Sequence, residues 1–159
     1  MTTALPTGSG TFLTGSASGR VLSFSDTCEA SPIGGNGHSS LVTSLSSGKH
    51  GKVFSAGFDD HLREIDGSTF TFVRHQTTAS HSLTFSRPAS LSTKSQPRSI
   101  AVGGDGSVFL AEINGLEVVR DNQKSFELST SFTPSAIDAH GSLVAVGGEV
   151  VFLTFYVPS

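Results

Sequence analysis

The stretch that decides the fold is residues 55–66, which read S-A-G-F-D-D-H-L-R-E-I-D. A short apolar run at 53–56 leads into a tight acidic turn at Asp59-Asp60, and a second run at 61–65 follows the turn. Strand-forming residues on both sides of such a turn predict two antiparallel strands joined as a β-hairpin. The rest of the chain can therefore be searched for further copies of this hairpin.

The composition is typical of short strands joined by many turns. The 159 residues are enough for one domain with a hydrophobic core. Apolar residues make up 36% and charged residues only 14% of the chain, which has 18 glycines. No segment shows the 3.6-residue periodicity of an amphipathic helix. Low charge and many turn-forming residues therefore favour an all-β domain.

Charge and cysteine content exclude several classes of partner. The net charge is −3 and the ten Lys and Arg are scattered, so we expect no nucleic acid and no anionic membrane as a partner. The chain contains no run of about eighteen apolar residues, so we predict no transmembrane helix. The first ten residues lack the pattern of a signal peptide, so we expect none. The single cysteine, Cys28, has no intrachain partner, so we expect the cytoplasm or the nucleus.

Four segments repeat one pattern, an apolar strand followed by a glycine-containing turn and a second apolar strand. Their anchor glycines are Gly10, Gly51, Gly106 and Gly141, separated by 41, 55 and 35 residues. The mean spacing of about 44 residues is typical of β-propeller blades, each of which is a small antiparallel sheet. Third strands are predicted at 20–24, 61–65 and 116–120, and outer fourth strands at 69–74 and 124–128.

The repeats predict a single partial propeller domain over residues 1–159, with about four blades. The long interval between the second and third glycines contains extra residues, about 77–96, which are rich in Ser and Thr and predict a flexible insertion. Four blades either close as a small ring or leave two open ends with apolar faces. In the second case we expect a marginally stable chain that associates with itself through its open blade edges.

The hairpin at 55–66 resembles the WD40 repeat, whose pattern runs S-G-S-x-D-x-T-I-R-V-W-D. Ser55 and Asp59 stand at the Ser and Asp of that pattern, and the pair at 65–66 replaces Trp-Asp. His38, preceded by a glycine, matches the Gly-His pair that comes before the strand. The resemblance implies a buried hydrogen-bond network of His38, Ser55 and Asp59. It is limited to three residues because the chain has no Trp.

Longer phrases resemble the actin-interacting protein 1 family, a WD40 family with two seven-bladed propellers that promotes disassembly of cofilin-decorated actin filaments. They include G-T-F-L-T-G-S-A-S-G-R-V-L-S-F at 10–24, the whole of 53–66, Q-P-R-S-I-A-V at 96–102 and G-L-E-V-V-R-D-N-Q-K at 115–124. The resemblance implies a non-enzymatic scaffold without cofactors that binds actin and cofilin on the cytoplasmic actin cytoskeleton. The last ten residues depart from the family.

The acidic turn has two interpretations. Asp59, Asp60 and His61 would suit a metal site or acid–base chemistry, but the hairpin alone explains them, with Asp59 in the turn and Asp60 in solvent. No other cluster has metal-ligand spacing, so we predict no metal and no catalytic residue. Phe58 and Asp60 are the candidate partner-binding residues, because the turn lies at the narrow end of the blade. Burial of Phe58 under a neighbouring loop is the alternative.

Other functions stay open beside the actin-binding scaffold. One is a generic WD40 adaptor in another complex. Another is a propeller hydrolase, which needs an acid, base or metal cluster on one face. The glycine-rich stretch at 103–106 is not followed by the residues of a phosphate loop, and no nucleophile elbow is present, so we favour a non-enzyme. A degenerate fragment without activity is the remaining alternative.

Overall fold

The chain folds into a series of small antiparallel β-sheets. The computed structural model describes residues 1–8, 10–78, 84–88, 90–148 and 152–156, with side chains for 1–8, 10–73 and 90–148. Within these ranges there are four successive sheets and a separate two-stranded hairpin. The helical content of the described residues is a single 3-10 turn at Lys49–Gly51, and none of their helices is long and apolar enough to cross a membrane. The predicted all-β fold is confirmed.

The first two sheets form blades 1 and 2, and an additional hairpin lies within the second. Blade 1 consists of β1 (Thr3–Pro6), β2 (Phe12–Gly15), β3 (Val21–Phe24) and β4 (Ala30–Pro32), in that order across the sheet. Blade 2 begins with β5 (Val42–Ser47), β6 (Lys52–Gly57), β7 (His61–Asp66) and β8 (Thr71–Phe72). The hairpin of β9 (Arg74–Thr78) and β10 (Thr84–Pro88) follows, and β11 (Ser90–Ser92) then returns to pair with β7.

The outer strand of blade 2 differs from the prediction. The continuous strand expected at 69–74 is interrupted: β8 pairs with the end of β7, and β11 pairs with its beginning. The extra residues therefore interrupt the outer strand instead of following the blade. Of the predicted insertion at 77–96, residues 79–83 and 89 lie outside the described residues, and the described remainder contributes to β9, β10 and β11.

The last two sheets follow the predicted pattern more closely. Blade 3 consists of β12 (Pro97–Val102), β13 (Val108–Glu112), β14 (Gly115–Arg120) and β15 (Gln123–Ser129). Blade 4 has three described strands, β16 (Pro134–His140), β17 (Leu143–Gly148) and β18 (Phe152–Tyr156). The strands predicted at 20–24, 61–65, 116–120 and 124–128 correspond to β3, β7, β14 and β15, within one or two residues at each end.

The hydrophobic core lies between blades. Successive side chains along a strand point to opposite faces of the sheet, so a blade with a neighbour on each side contributes to two hydrophobic clusters. Blade 2 does this with Val53 toward blade 1 and Phe54 toward blade 3. A third cluster joins Phe109 of blade 3 to Val144 of blade 4. Burial of each such side chain stabilises the fold by about 1.5–3 kcal/mol, so stacking of the blades holds the domain together.

Hydroxyl groups on the innermost strands add a link at each interface. The Thr2 Oγ1 donates to the Val42 carbonyl oxygen at 2.5 Å, between blades 1 and 2. The Ile100 amide donates to Ser44 Oγ at 3.2 Å, and the Ile137 amide donates to Ser99 Oγ at 3.4 Å. Ser44 and Ser99 both follow a β-bulge, which turns the residue out of the ladder. Among the described residues, these hydrogen bonds join blade 1 to blade 2, blade 2 to blade 3 and blade 3 to blade 4.

Candidate functional site

The structure brings His38, Ser55 and Asp59 into one chain of hydrogen bonds. His38 lies in the segment that leads from blade 1 into blade 2, Ser55 lies in β6, and Asp59 lies in the turn between β6 and β7. The His38 Nδ1 is 2.7 Å from Asp59 Oδ1, and the His38 Nε2 is 2.9 Å from Ser55 Oγ. The network therefore fastens the incoming segment to the blade.

Two further features support this geometry. The second carboxylate oxygen of Asp59, Oδ2, accepts the Ser39 amide at 3.0 Å and lies 3.4 Å from the Arg63 guanidinium. Gly57 leaves room for the imidazole, because a Cβ at that position would be 2.5 Å from His38 Nδ1. Ser39 and Arg63 were not predicted for the site. Arg63 stands at the Arg of the WD40 pattern, a signal that could have pointed to it, whereas a backbone amide such as that of Ser39 carries no sequence signal.

The protonation of the network follows from its burial. Burial lowers the pKa of His38, and the hydrogen bond with Asp59 offsets this only in part. Burial alone would raise the pKa of Asp59, but hydrogen bonds with His38 and the Ser39 amide lower it below its ordinary value. A neutral imidazole beside a carboxylate donates from Nδ1 to Asp59, so its Nε2 accepts the Ser55 hydroxyl hydrogen.

The hydrogen bonds connect Ser, His and Asp in the same order as in a serine hydrolase triad, but a substrate cannot reach the serine. In such a triad the serine oxygen must reach a substrate carbonyl. Here Ser55 is 0% exposed, and the His38 side chain is fully buried as well. No substrate atom can approach the Ser55 hydroxyl without displacing the blade. The network is therefore structural, and it gives no support to the hydrolase alternative.

Phe58 and Asp60 lie on the same turn with their side chains in solvent. Phe58 is 38% exposed, and Asp60 is exposed as well. The turn itself is fixed from both sides: the Phe58 amide donates to the Leu41 carbonyl at 2.9 Å, and the Asp60 carbonyl accepts the Thr93 amide at 2.8 Å. An aromatic ring and a carboxylate are thus presented on a rigid support.

Comparison with known proteins agrees with this geometry. No protein-family model matches the chain. A curated protein of Xenopus laevis, WD repeat-containing protein 1-A, is 28% identical over 145 residues, which is 89% of this chain and 22% of that protein. The β-propeller domain of Cps50 (Swd1) from Myceliophteria thermophila superposes with a TM-score of 0.74 at 15% identity, over 99% of this chain and 51% of that one.

The WD40 β-propeller domain of Doa1 gives a TM-score of 0.74 at 15% identity, over 98% of this chain and 50% of the Doa1 chain. The chain has a WD40 β-propeller fold. It spans about a fifth of the length of the curated relative and about half the length of these solved propellers. WD40 propellers of this kind are in general non-enzymatic scaffolds.

A second polar cluster of the WD40 blades was missed by the sequence analysis. Glu112 and Glu117 of blade 3 are buried at the interface with blade 2, at 4% and 2% exposure. The Glu112 Oε2 accepts the Ser95 amide at 3.0 Å and the Ser95 hydroxyl at 2.8 Å, and the Glu117 Oε2 accepts the Lys94 amide at 3.3 Å. Burial and the neighbouring Glu117 raise the pKa of Glu112, which the Ser95 hydrogen bonds offset only in part. The two glutamates thus hold the loop that leads into blade 3.

The described residues form a cleft between two blades, and they contain no cluster of metal ligands. Among them, no group of three or more His, Cys, Asp or Glu side chains is arranged to hold a metal ion. A cleft of about 230 Å³ lies between blades 2 and 3, and three of its charged lining residues, Lys52, Glu64 and Asp105, form ion pairs. Lys52 pairs with Glu64 at 3.1 Å, and Asp105 pairs with Arg120 at 3.2 Å.

Proposed function

We propose that the chain is a non-enzymatic scaffold that binds actin and cofilin and so aids the disassembly of actin filaments on the cytoplasmic cytoskeleton. The partner is supported by the phrases at 10–24, 53–66 and 115–124, which resemble the actin-interacting protein 1 family. The similarity to WD repeat-containing protein 1-A supports the WD40 scaffold. Because the chain covers 22% of that protein, the activity of a longer protein is part of the proposal.

One observation about the site carries the proposal of a binding role. The groups of the blade-2 turn that are capable of chemistry, His38, Ser55 and Asp59, are buried and bonded to one another. Their neighbours Phe58 and Asp60 are exposed on the same turn. An exposed aromatic on a rigid turn loses little conformational entropy on binding, and a rim carboxylate steers a basic partner. The mechanism is surface complementarity without a chemical step.

A second candidate is a WD40 adaptor for a different complex. It is favoured by the solved propellers, which share the fold at only 15% identity and belong to differently named proteins. A fold at this level of identity does not specify a partner, because partner choice depends on the exposed side chains. The two candidates therefore name different partners for the same exposed surface, the blade-2 turn.

Co-sedimentation with actin filaments, with and without cofilin, distinguishes the two candidates. We expect the chain to pellet with filaments, and more strongly when cofilin is present. Phe58→Ala should weaken this binding about tenfold or more, since loss of a central aromatic commonly costs over 1.4 kcal/mol. Leu143→Ala is the matched control, because Leu143 is also an exposed apolar residue, at 50%, but belongs to blade 4.

Absence of binding in both conditions would reject actin and cofilin as partners and leave the adaptor candidate. If Leu143→Ala weakens binding as much as Phe58→Ala does, the contact surface does not lie at the blade-2 turn.

A further inference from the structure

The outer strand of blade 3, β15, is long for a strand at the edge of a sheet. It contains seven residues, all of them exposed, whereas the outermost strands of blades 1 and 2 (β4, β8 and β11) contain two or three. One side of β15 pairs with β14, and no strand of the described residues pairs with its other side. Proteins commonly keep such edges short, because their unpaired N–H and C=O groups are a template for another strand. β15 therefore offers an edge to which a further strand can be added.

The first half of β15 has features that normally prevent pairing at an edge. The register with β14 shifts between Lys124 and Phe126, which marks a β-bulge, and a bulge twists the edge locally. Lys124 is also a charged residue of the kind that discourages an incoming strand. From Phe126 to Ser129 the register with β14 is regular. A strand from outside the blade can therefore follow this second half.

The second half of β15 exposes an apolar face. Phe126 and Leu128 are 59% and 37% exposed, and they point to the same face because they are two residues apart. Opposite them in β14 lie Val118 and Leu116, which belong to the side that packs on blade 4. Directly opposite residues of paired strands have Cβ atoms about 4.5–5.5 Å apart, so an added strand would bring its side chains into contact with Phe126 and Leu128.

The other face of this half is polar, and its charges are compensated within the chain. Glu127 lies between Phe126 and Leu128 in sequence and forms an ion pair with Lys94. Lys124 pairs with Glu117 at 3.1 Å. These ion pairs reduce the charge that would repel an incoming strand or select a strongly charged one. A strand that fits both faces alternates apolar side chains with polar ones.

Self-pairing of β15 fits this edge less well than a strand of a different sequence. In the antiparallel pairing that puts Phe126 of one copy beside Leu128 of the other, the two Glu127 side chains lie directly opposite each other, and like charges at such positions are destabilising. One short strand from each copy also buries less than the roughly 1,200–2,000 Å² of a stable interface between two folded proteins. The occupant is therefore expected to be a segment of another protein.

We propose that the second half of β15 binds an extended segment of another protein, which adds to blade 3 as a fifth, antiparallel strand. Two apolar side chains of the segment, spaced two residues apart, contact Phe126 and Leu128, and the polar side chain between them lies beside Glu127. Backbone hydrogen bonds supply most of the affinity in this mode of recognition, and the two apolar contacts supply specificity.

Titration of the nitrogen-15-labelled chain with a synthetic peptide, followed by two-dimensional NMR, tests this surface. The probe is acetyl-K-T-V-T-V-K-amide, which has two valines spaced two residues apart. We expect saturable shifts of the β15 amide signals around Glu127. Phe126→Lys should weaken binding at least tenfold, because it puts a charge where the apolar side chain of the peptide would be buried. Leu143→Lys is the matched control: Leu143 is also exposed, at 50%, but belongs to blade 4, so binding should stay within about twofold.

A second peptide separates strand addition from simple apolar contact. It has the same sequence, with the backbone nitrogens of the central threonine and the following valine methylated. The N–H groups of adjacent residues in a strand point to opposite sides, so one of the two lost donors is on the side that meets β15. Because its side chains are unchanged, weaker binding by at least tenfold would come from the lost backbone pairing.

Several results would overturn the proposal. They are equal binding of the two peptides, equal weakening by Leu143→Lys, and no shift of the β15 amides at millimolar peptide. Shifts of the same amides that depend on chain concentration alone, without peptide, would identify a second copy as the occupant and would also overturn it. Thermal unfolding of each variant separates loss of binding from loss of the fold. The test does not involve actin, so its result is independent of the function proposed above.

Discussion

At the scale of single residues, the two neighbouring aspartates of the blade-2 turn have opposite roles. The Asp59 carboxylate is nearly buried and accepts hydrogen bonds from His38 and the Ser39 amide. Asp60 is exposed, with a positive φ of 56° that suits Asp, Asn and Gly. By residue type both are ordinary turn residues. The resemblance to the WD40 repeat is what assigned Asp59, and not Asp60, to the buried network.

Asp59→Asn should destabilise the chain by about 2 kcal/mol, because hydrogen bonds to a charged acceptor contribute about 1.5–3 kcal/mol. The asparagine NH₂ would face the Ser39 amide and the Arg63 guanidinium, which are donors themselves. Asp60→Asn is the matched control and should change stability by less than about 0.5 kcal/mol. Urea unfolding at pH 7 measures both. Equal effects of the two substitutions would show that the network contributes little.

At the scale of secondary-structure elements, the sequence was informative for hairpins and failed for the outer strand of blade 2. The strands β6 and β7 follow from their own residues, because apolar runs flank a turn of Asp59 and Asp60. The short β11 has the sequence S-L-S, which favours no structure by itself. It is a strand because β7 offers an edge and because Glu112 and Glu117 hold the loop that follows. Those glutamates are distant in sequence, so no local pattern could reveal them.

The stability that depends on Glu112 should change with pH. Its pKa is raised in the folded chain, chiefly by burial, so folding favours the protonated form. This contribution is present below the ordinary value of 4.5 and is lost as pH rises through the folded pKa. Glu112→Gln should therefore gain stability relative to the unmodified chain between pH 4.5 and 7. Glu127→Gln, at an exposed position, should show no such trend. Urea unfolding at several pH values measures the difference.

At the scale of the whole molecule, stability should be distributed unevenly among the blades. Blades 2 and 3 are covered on both faces by the clusters that contain Val53 and Phe54, and Val108 and Phe109. Blades 1 and 4 each share a cluster with one neighbour in the described chain. Stacked repeats of this kind are stabilised by nearest-neighbour interfaces, so a repeat with one interface opens more readily than a repeat with two.

Hydrogen exchange followed by mass spectrometry should therefore show the slowest amides in β6 and β13, and exchange at least tenfold faster in β2 and β17. The tenfold difference in exchange rate corresponds to about 1.4 kcal/mol in the free energy of local opening, which the second interface adds. Uniform protection across the four blades would contradict the stacked-repeat account.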